Sequence, residues 1–286
     1  MRSAQRAARA SMSACCVRAV LHSGLGNWLY VAAEVALVAR AYNCTLVLPT
    51  VLHRWFRLPP HAQRPNAPLP CREVRSMQEA SSNERTRRLA ARAMGARSFE
   101  DARARMFRRL FGLPRISPPA PVRFGTSVHL RTVSDIHCHT HTDIRSCRRS
   151  CLRDEALQCV VRHALPPVLI LSDSAKAGAK LRRMLLQRKI RDVWDEIDIV
   201  DARNHSALSR QAAHQTMLLW AAFVAAERRF ASGVSTFSKS ALLAIPHQGM
   251  RAHGGDYVVD TRCAKTHETD GNLYTCRRAV LSRDLV

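Results

Sequence analysis

Four short stretches put polar or flexible residues where an apolar segment gives way to a loop, and each has the chemistry of an anion site. Ser23-Gly24-Leu25-Gly26-Asn27 follows an apolar run and precedes a helical pattern. Its two glycines let backbone come close to a ligand, and the helix start offers N–H groups to a phosphate; glycines in such turns also serve packing alone. Val128-His129-Leu130-Arg131-Thr132-Val133-Ser134-Asp135 puts an arginine directly after a buried-type strand. A guanidinium there must be paired, and its planar fork matches a phosphate or diphosphate. Asp135 would orient it, bind a sugar hydroxyl, or close an internal ion pair with Arg131. In Leu171-Ser172-Asp173-Ser174 the carboxylate of Asp173 either accepts hydrogen bonds from a base or ribose or caps the next helix. Ser232-Gly233-Val234-Ser235-Thr236-Phe237-Ser238 offers hydroxyls and N–H groups at a helix start, as a phosphate site or as ordinary caps.

These residues need a scaffold of alternating strands and helices. Residues 15–21 read as a strand and 22–27 as a loop. Residues 28–40 read as a helix with Leu29, Ala32, Ala33, Ala36 and Leu37 on its apolar positions, and 45–48 as a strand stopped by Pro49. That is a βαβ unit. Residues 59–70 are proline-rich and irregular, and 85–110 form a strongly basic helical stretch expected to be a solvated surface helix. Four prolines in 114–121 mark a linker. A second series follows: strand 127–130, a His- and Cys-rich loop, helix 151–164, strand 168–171, helix 175–188, strand 197–200, helix 209–226, a strand from 229 and a helix from 238. Such alternation predicts α/β architecture with parallel sheets covered on both faces. The expected organisation is a basic segment 1–14, a domain 15–113, the linker 114–121 and a domain 122–286.

Composition narrows the function classes. The chain has 286 residues, 47% of them hydrophobic, which suits two modest domains with real cores. No apolar run approaches the roughly 18 residues of a membrane span. The formal charge of +23 invites a nucleic-acid reading. Yet the arginines are spread along the chain without interleaved aromatics, so a surface that attracts anionic substrates is the better inference and no nucleic-acid partner is expected. Ten cysteines, with Cys138, Cys147, Cys151 and Cys159 clustered and Cys263 and Cys276 as a C-terminal pair, lean towards an oxidising lumen. The sequons Asn43-Cys44-Thr45 and Asn204-His205-Ser206 lean the same way, towards the Golgi or endoplasmic reticulum and a glycoprotein. The acid-free, Arg-, Ala- and Ser-rich start instead has the character of an organelle transit peptide.

In order and spacing the four stretches resemble the fucosyltransferase families that use GDP-fucose. Residues 23–27, followed by an apolar helix and Thr45-Leu46-Val47-Leu48-Pro49, are similar to the family opening G-x-G-N-Q…R-T-L-V-L-P. His129-Leu130-Arg131…Asp135 is similar to the H-x-R segment of protein O-fucosyltransferases, Ser172-Asp173 to the T-D motif, and Ser235-Thr236-Phe237-Ser238 to the late S-S/T-F segment. The resemblance runs from about residue 15 to 245, except for the middle from 52 to 124. It implies a GT-B-like fold, two Rossmann-like domains flanking a nucleotide-sugar cleft, and metal-independent, inverting transfer of fucose to a glycan or protein hydroxyl. Carried across, Gly24, Gly26 and Asn27 line the donor–acceptor cleft. Arg131, with His129 beside it, binds the β-phosphate and stabilises the leaving GDP, and Asp135 assists at the donor. Asp173 contacts guanine or ribose, and Ser235, Thr236, Phe237 and Ser238 hold the pyrophosphate and nucleotide. Gly24 stands where O-fucosyltransferases often carry an arginine, and Trp28 where the usual residue is glutamine. Thr132 replaces the second arginine of H-x-R-R-x-D, which points away from the α1,2 and α1,6 linkages. Asp135 and Glu34 are the nearest candidates for a general base.

Two other classes compete. His137, His139 and His141, with Cys147 and Cys151 behind them, offer zinc-ligand chemistry at no standard spacing, and no metal is expected. A non-catalytic GDP-sugar binder or an arginine-rich nucleic-acid binder would keep the charge without the chemistry. A dehydrogenase is disfavoured by the missing third glycine after Gly26 and the missing acid after Leu48.

Overall fold

A computed structural model describes residues 15–20, 24–59, 62–63, 71–75, 83–112, 123–131, 154–196, 210–232, 235–244, 256–259 and 276–278. The chain divides into two compact units, Met1–His22 with Leu29–Leu113, and Ser23–Trp28 with Pro114–Val286.

In the first unit four short strands, β1 (Cys16–Ala19), β2 (Thr45–Val47), β3 (Ala62–Gln63) and β4 (Arg72–Val74), form a wholly parallel sheet in the order β3-β2-β1-β4. Helix α1 (Leu25–Ala41) links β1 to β2. It is apolar almost all round, with Leu29, Ala32, Ala33, Val35 and Leu37 fully buried, so it lies inside the domain, not on its surface. Its one buried acid, Glu34, meets Arg103 Nη2 at 2.9 Å. Asn43, at φ 54°, adopts the left-handed turn that ends the helix. The short helix α2 (Thr50–Trp55) follows β2.

The basic stretch that reads as one solvated helix is in fact two. Helix α3 (Glu84–Ala93) stops just before Gly95, whose φ of +59° turns the chain left-handed. Ser98 then caps α4 (Phe99–Phe111), its side chain accepting from Asp101 N–H. The expectation of a surface role fails for α4. Phe99, Ala102, Met106, Phe107, Leu110 and Phe111 recur at helical spacing and are buried, with Phe107 5.4 Å from the Tyr30 ring and 4.9 Å from Phe111. The many arginines masked that stripe.

Two disulfides staple the same sheet, Cys15–Cys44 and Cys16–Cys71, tying the entrance of β1 to the entrances of β2 and β4. Neither pairing was read from the sequence. Cys159 is also disulfide-bonded, whereas Cys138, Cys147, Cys151 and Cys263 lie outside the described residues.

The second unit carries a six-stranded sheet in the order β10-β9-β8-β5-β6-β7, built from β5 (Thr126–Leu130), β6 (Val168–Ser172), β7 (Val193–Glu196), β8 (Arg228–Ser232), β9 (Asp256–Val259) and β10 (Cys276–Arg278). All neighbours are parallel except β9 and β10. Helices α5 (Asp154–His163) and α6 (Ala175–Gln187) cover one face, where Leu157, Val160, Leu181 and Leu185 pack on Val128, Leu130, Val168 and Ile170. Each such fully buried side chain contributes about 1.5–3 kcal/mol. Helices α7 (Arg210–Ala225) and α8 (Thr236–Ala244) complete the unit, with Trp220, Phe223, Ala241 and Leu242 fully buried.

The strand expected at 197–200 lies outside the described residues, and the structure pairs Val193–Glu196 with β6 instead, Val168 opposite Val193. This edge strand needs only one covered side. Trp194 is half exposed and Asp195 pairs with Arg182, so its sequence lacks the apolar run that marks a central strand. Parallel sheets packed by helices give the α/β architecture in both units.

Candidate functional site

The strand order of the second unit reverses between β5 and β8: β6 and β7 extend from one side of β5, β8 and β9 from the other. In open α/β sheets the loops leaving the carboxyl ends of two such diverging strands form a ready crevice. Arg131 leaves β5 at that point, and Ser235-Thr236 leaves β8 into α8.

Arg131 follows five buried residues. Leu130 pairs with Ser172 across β5 and β6, and the turn after β6 is knitted to the end of β5. Asp173 N–H donates to Leu130 O at 3.4 Å, and the Ser172 hydroxyl lies 3.3 Å from that oxygen while accepting from Ser174 N–H at 3.1 Å. This register sets Asp173 Oδ2 3.3 Å from Arg131 Nε. The partner the structure describes is thus Asp173; Asp135 lies outside the described residues. The next helix is capped by Ser174, whose hydroxyl accepts from Ala177 N–H. Asp173 pairs with the guanidinium and is not needed as that cap. The contact engages Nε, and the side chain of Arg131 stays partly exposed; a guanidinium has two further nitrogens with which to hold a phosphate.

His129 points to the face of β5 opposite the one that carries Val128 and Leu130, as the strand's alternation requires. It is 2% exposed, and its Nδ1 lies 3.1 Å from Ser238 Oγ. Its ring sits 5.1 Å from that of Phe237. Burial, with the charge of Arg131 added, pushes its pKa down to about 3, so the imidazole is neutral. The side chains of His129 and Ser238 are buried against each other and brace the start of α8; neither is part of an exposed contact surface.

Helix α8 opens with Ser235 O accepting from Lys239 N–H at 3.1 Å. The amides of its first turn have no partner within the helix by construction. The Ser23–Trp28 segment belongs to this unit. Gly24 O accepts the first helical bond of α1 from Trp28 N–H at 3.2 Å. Gly26 lies against the Thr236–Phe237 peptide so closely that an added Cβ would be 2.3 Å from Phe237 N and 2.4 Å from Thr236 C. Two helix starts therefore meet backbone to backbone, and both carry positive dipole ends. Asn27 follows at the contact, partly exposed.

The other candidates separate from this group. Glu34, considered as a base, is sealed in the first unit with a fully buried side chain in its salt link to Arg103, and cannot reach a substrate. His137, His139 and His141, and residues 132–135, lie outside the described residues, as does the sequon at 204–206. Among the described residues no group of three His, Cys, Asp or Glu is placed to hold a metal ion, and no helix is long and apolar enough to cross a membrane.

No family model matches the chain, and no curated protein sequence does. Solved structures do. An arginine-to-lysine variant of Arabidopsis thaliana FUT1 in complex with GDP matches at 14% identity with a TM-score of 0.51, over 99% of this chain and 78% of that one. The fucosyltransferase NodZ from Bradyrhizobium matches at 13% identity and a TM-score of 0.44, over 86% and 96%. NodZ α-1,6-fucosyltransferase soaked with GDP-fucose matches at 14% and 0.43, over 86% and 94%. At such identities the likeness is one of fold, and the fold is fucosyltransferase-like.

Proposed function

We propose that this fucosyltransferase-like chain is a glycosyltransferase that transfers fucose from GDP-fucose, with inversion and without a metal, to a glycan or protein hydroxyl. The observation that carries the reading is that Arg131, ion-paired with Asp173, follows β5 and the helix start packed on Gly26 follows β8, the two neighbouring strands between which the order reverses. Fucose leaves as an oxocarbenium-like sugar while negative charge grows on the β-phosphate. A fixed guanidinium and helix-start N–H groups favour that charge more in the transition state than in the ground state. Arg131 is the residue that stabilises the leaving diphosphate. Thr236 and Ser235 present backbone and hydroxyl groups to the nucleotide diphosphate, Asn27 lines the sugar end, and Asp135 assists at the donor. The two disulfides and the exposed Asn43 of the sequon 43–45 support a glycoprotein working in the lumen of the Golgi or endoplasmic reticulum.

Calorimetric titration with GDP, GDP-fucose and other nucleotide sugars tests donor identity, with guanine nucleotides expected to bind best. Arg131→Ala is expected to stay folded and to lose transfer by about 10²–10³-fold. Near-normal transfer by that variant rejects the assignment.

A further inference from the structure

The first turn of α8 is held from behind by a buried polar relay that none of the recognised motifs includes. Trp220, fully buried on α7, donates its indole N–H to Ser240 Oγ at 2.9 Å. The Ser240 hydroxyl in turn donates a hydrogen bond to Phe237 O at 2.7 Å. Phe237 is the residue whose N atom Gly26 touches and whose ring lies beside His129. Its amide end, carbonyl and ring are thus each fixed by a different partner. Ser238, next in the chain, is fixed by His129. Buried hydroxyls in a helix are costly unless satisfied, and here each is satisfied by a group on another element or on the turn above.

Helices rotate and slide about their axes when only apolar contacts hold them, because such contacts are non-directional. Hydrogen bonds are directional and fix the azimuth. Ser240 lies one turn beyond the amides that face the crevice, so its bond to Trp220 sets where those amides aim. We infer that Trp220 and Ser240 are positioning residues for diphosphate binding: they act through Phe237 to aim the α8 amides and touch no ligand themselves. This rests on the anion-site reading above and adds to it a second layer from α7.

The probe is inorganic pyrophosphate, which isolates the anion subsite from base recognition, with GDP in parallel. Calorimetry is run on the wild type, Ser240→Ala, Ser240→Thr, Trp220→Phe and the double variant Trp220→Phe/Ser240→Ala, well below each one's unfolding temperature. Loss of one directional hydrogen bond is expected to weaken pyrophosphate binding about three- to tenfold in Ser240→Ala and in Trp220→Phe. Ser240→Thr, which keeps the hydroxyl, is expected to restore it. The double variant is expected to be no weaker than the worse single one, because both changes cut the same relay. Should the variants melt earlier yet bind pyrophosphate as the wild type does, the relay is a packing device only and the inference fails while the anion site stands. If the wild type binds neither pyrophosphate nor GDP, the site itself fails and this inference with it.

Discussion

Gly26 admits no side chain, and the reason is a neighbour's backbone and not its own torsion angles. A methyl group 2.3 Å from Phe237 N cannot be relieved by a rotamer change, since the obstacle is a peptide. Gly26→Ala is therefore expected to destabilise by about 1–3 kcal/mol and to weaken nucleotide binding by forcing the two helix starts apart. Thermal unfolding with a GDP titration checks both, and unchanged affinity would show that their contact is irrelevant to binding. At this scale the sequence was partly legible. Arg131 announced itself because an arginine after a buried strand needs a partner. Its partner did not, because Asp173 arrives beside it only through the pairing of Leu130 with Ser172, a long-range register that no local pattern encodes. Glu34 misled for the converse reason: an acid on an apolar helix looks available until a distant arginine, here Arg103, is folded over it.

Among the elements, helices and central strands were the readable part and edges the unreadable part. Strands β5 and β6, buried from end to end, show as apolar runs. Strand β7 hides because one side of it faces solvent, and α4 hides because four arginines share its sequence with six core residues. Helix α8 was seen, but starting two residues late, since Thr236 and Phe237 read as loop until Ser235 is known to close the first turn. The bracing of α8 on β5 has a pH signature. Unfolded, His129 titrates near 6.5; folded, burial and then Arg131 hold it to about 3. Between those values the unfolded chain binds one proton more. Stability therefore falls as pH drops from about 6.5 towards 3, by up to ~1.4 kcal/mol per unit, and this contribution is constant above that window. Urea midpoints measured from pH 7 to pH 4 should show the slope, and His129→Gln should flatten it. An equal slope in the variant would assign the acid sensitivity elsewhere.

Across the whole molecule, the α/β alternation was legible, and the cysteine pairing was not. Cys15 and Cys16 are adjacent yet bond to partners 29 and 55 residues away, on the neighbours at either side of β1. Closing loops of that size stabilises by about 3–4 kcal/mol each on chain-entropy grounds. The paired change Cys16→Ser/Cys71→Ser is expected to lower the melting point of the first unit while the second keeps its own; calorimetry of the wild type and the variant tells the two apart, and a shift of both together would contradict it. The strand order of the second unit has a consequence of another kind. Neighbours β5 and β8 are far apart along the chain, with α5, β6, α6, β7 and α7 intervening. Strands β5 and β8, after which Arg131 and Thr236 follow, pair only once all of these are laid down, so on the proposed reading no partly built intermediate would hold a ligand. On that reading occupancy would be a report on completion: a bound nucleotide would select finished molecules from a folding population and slow their return to the unfinished state.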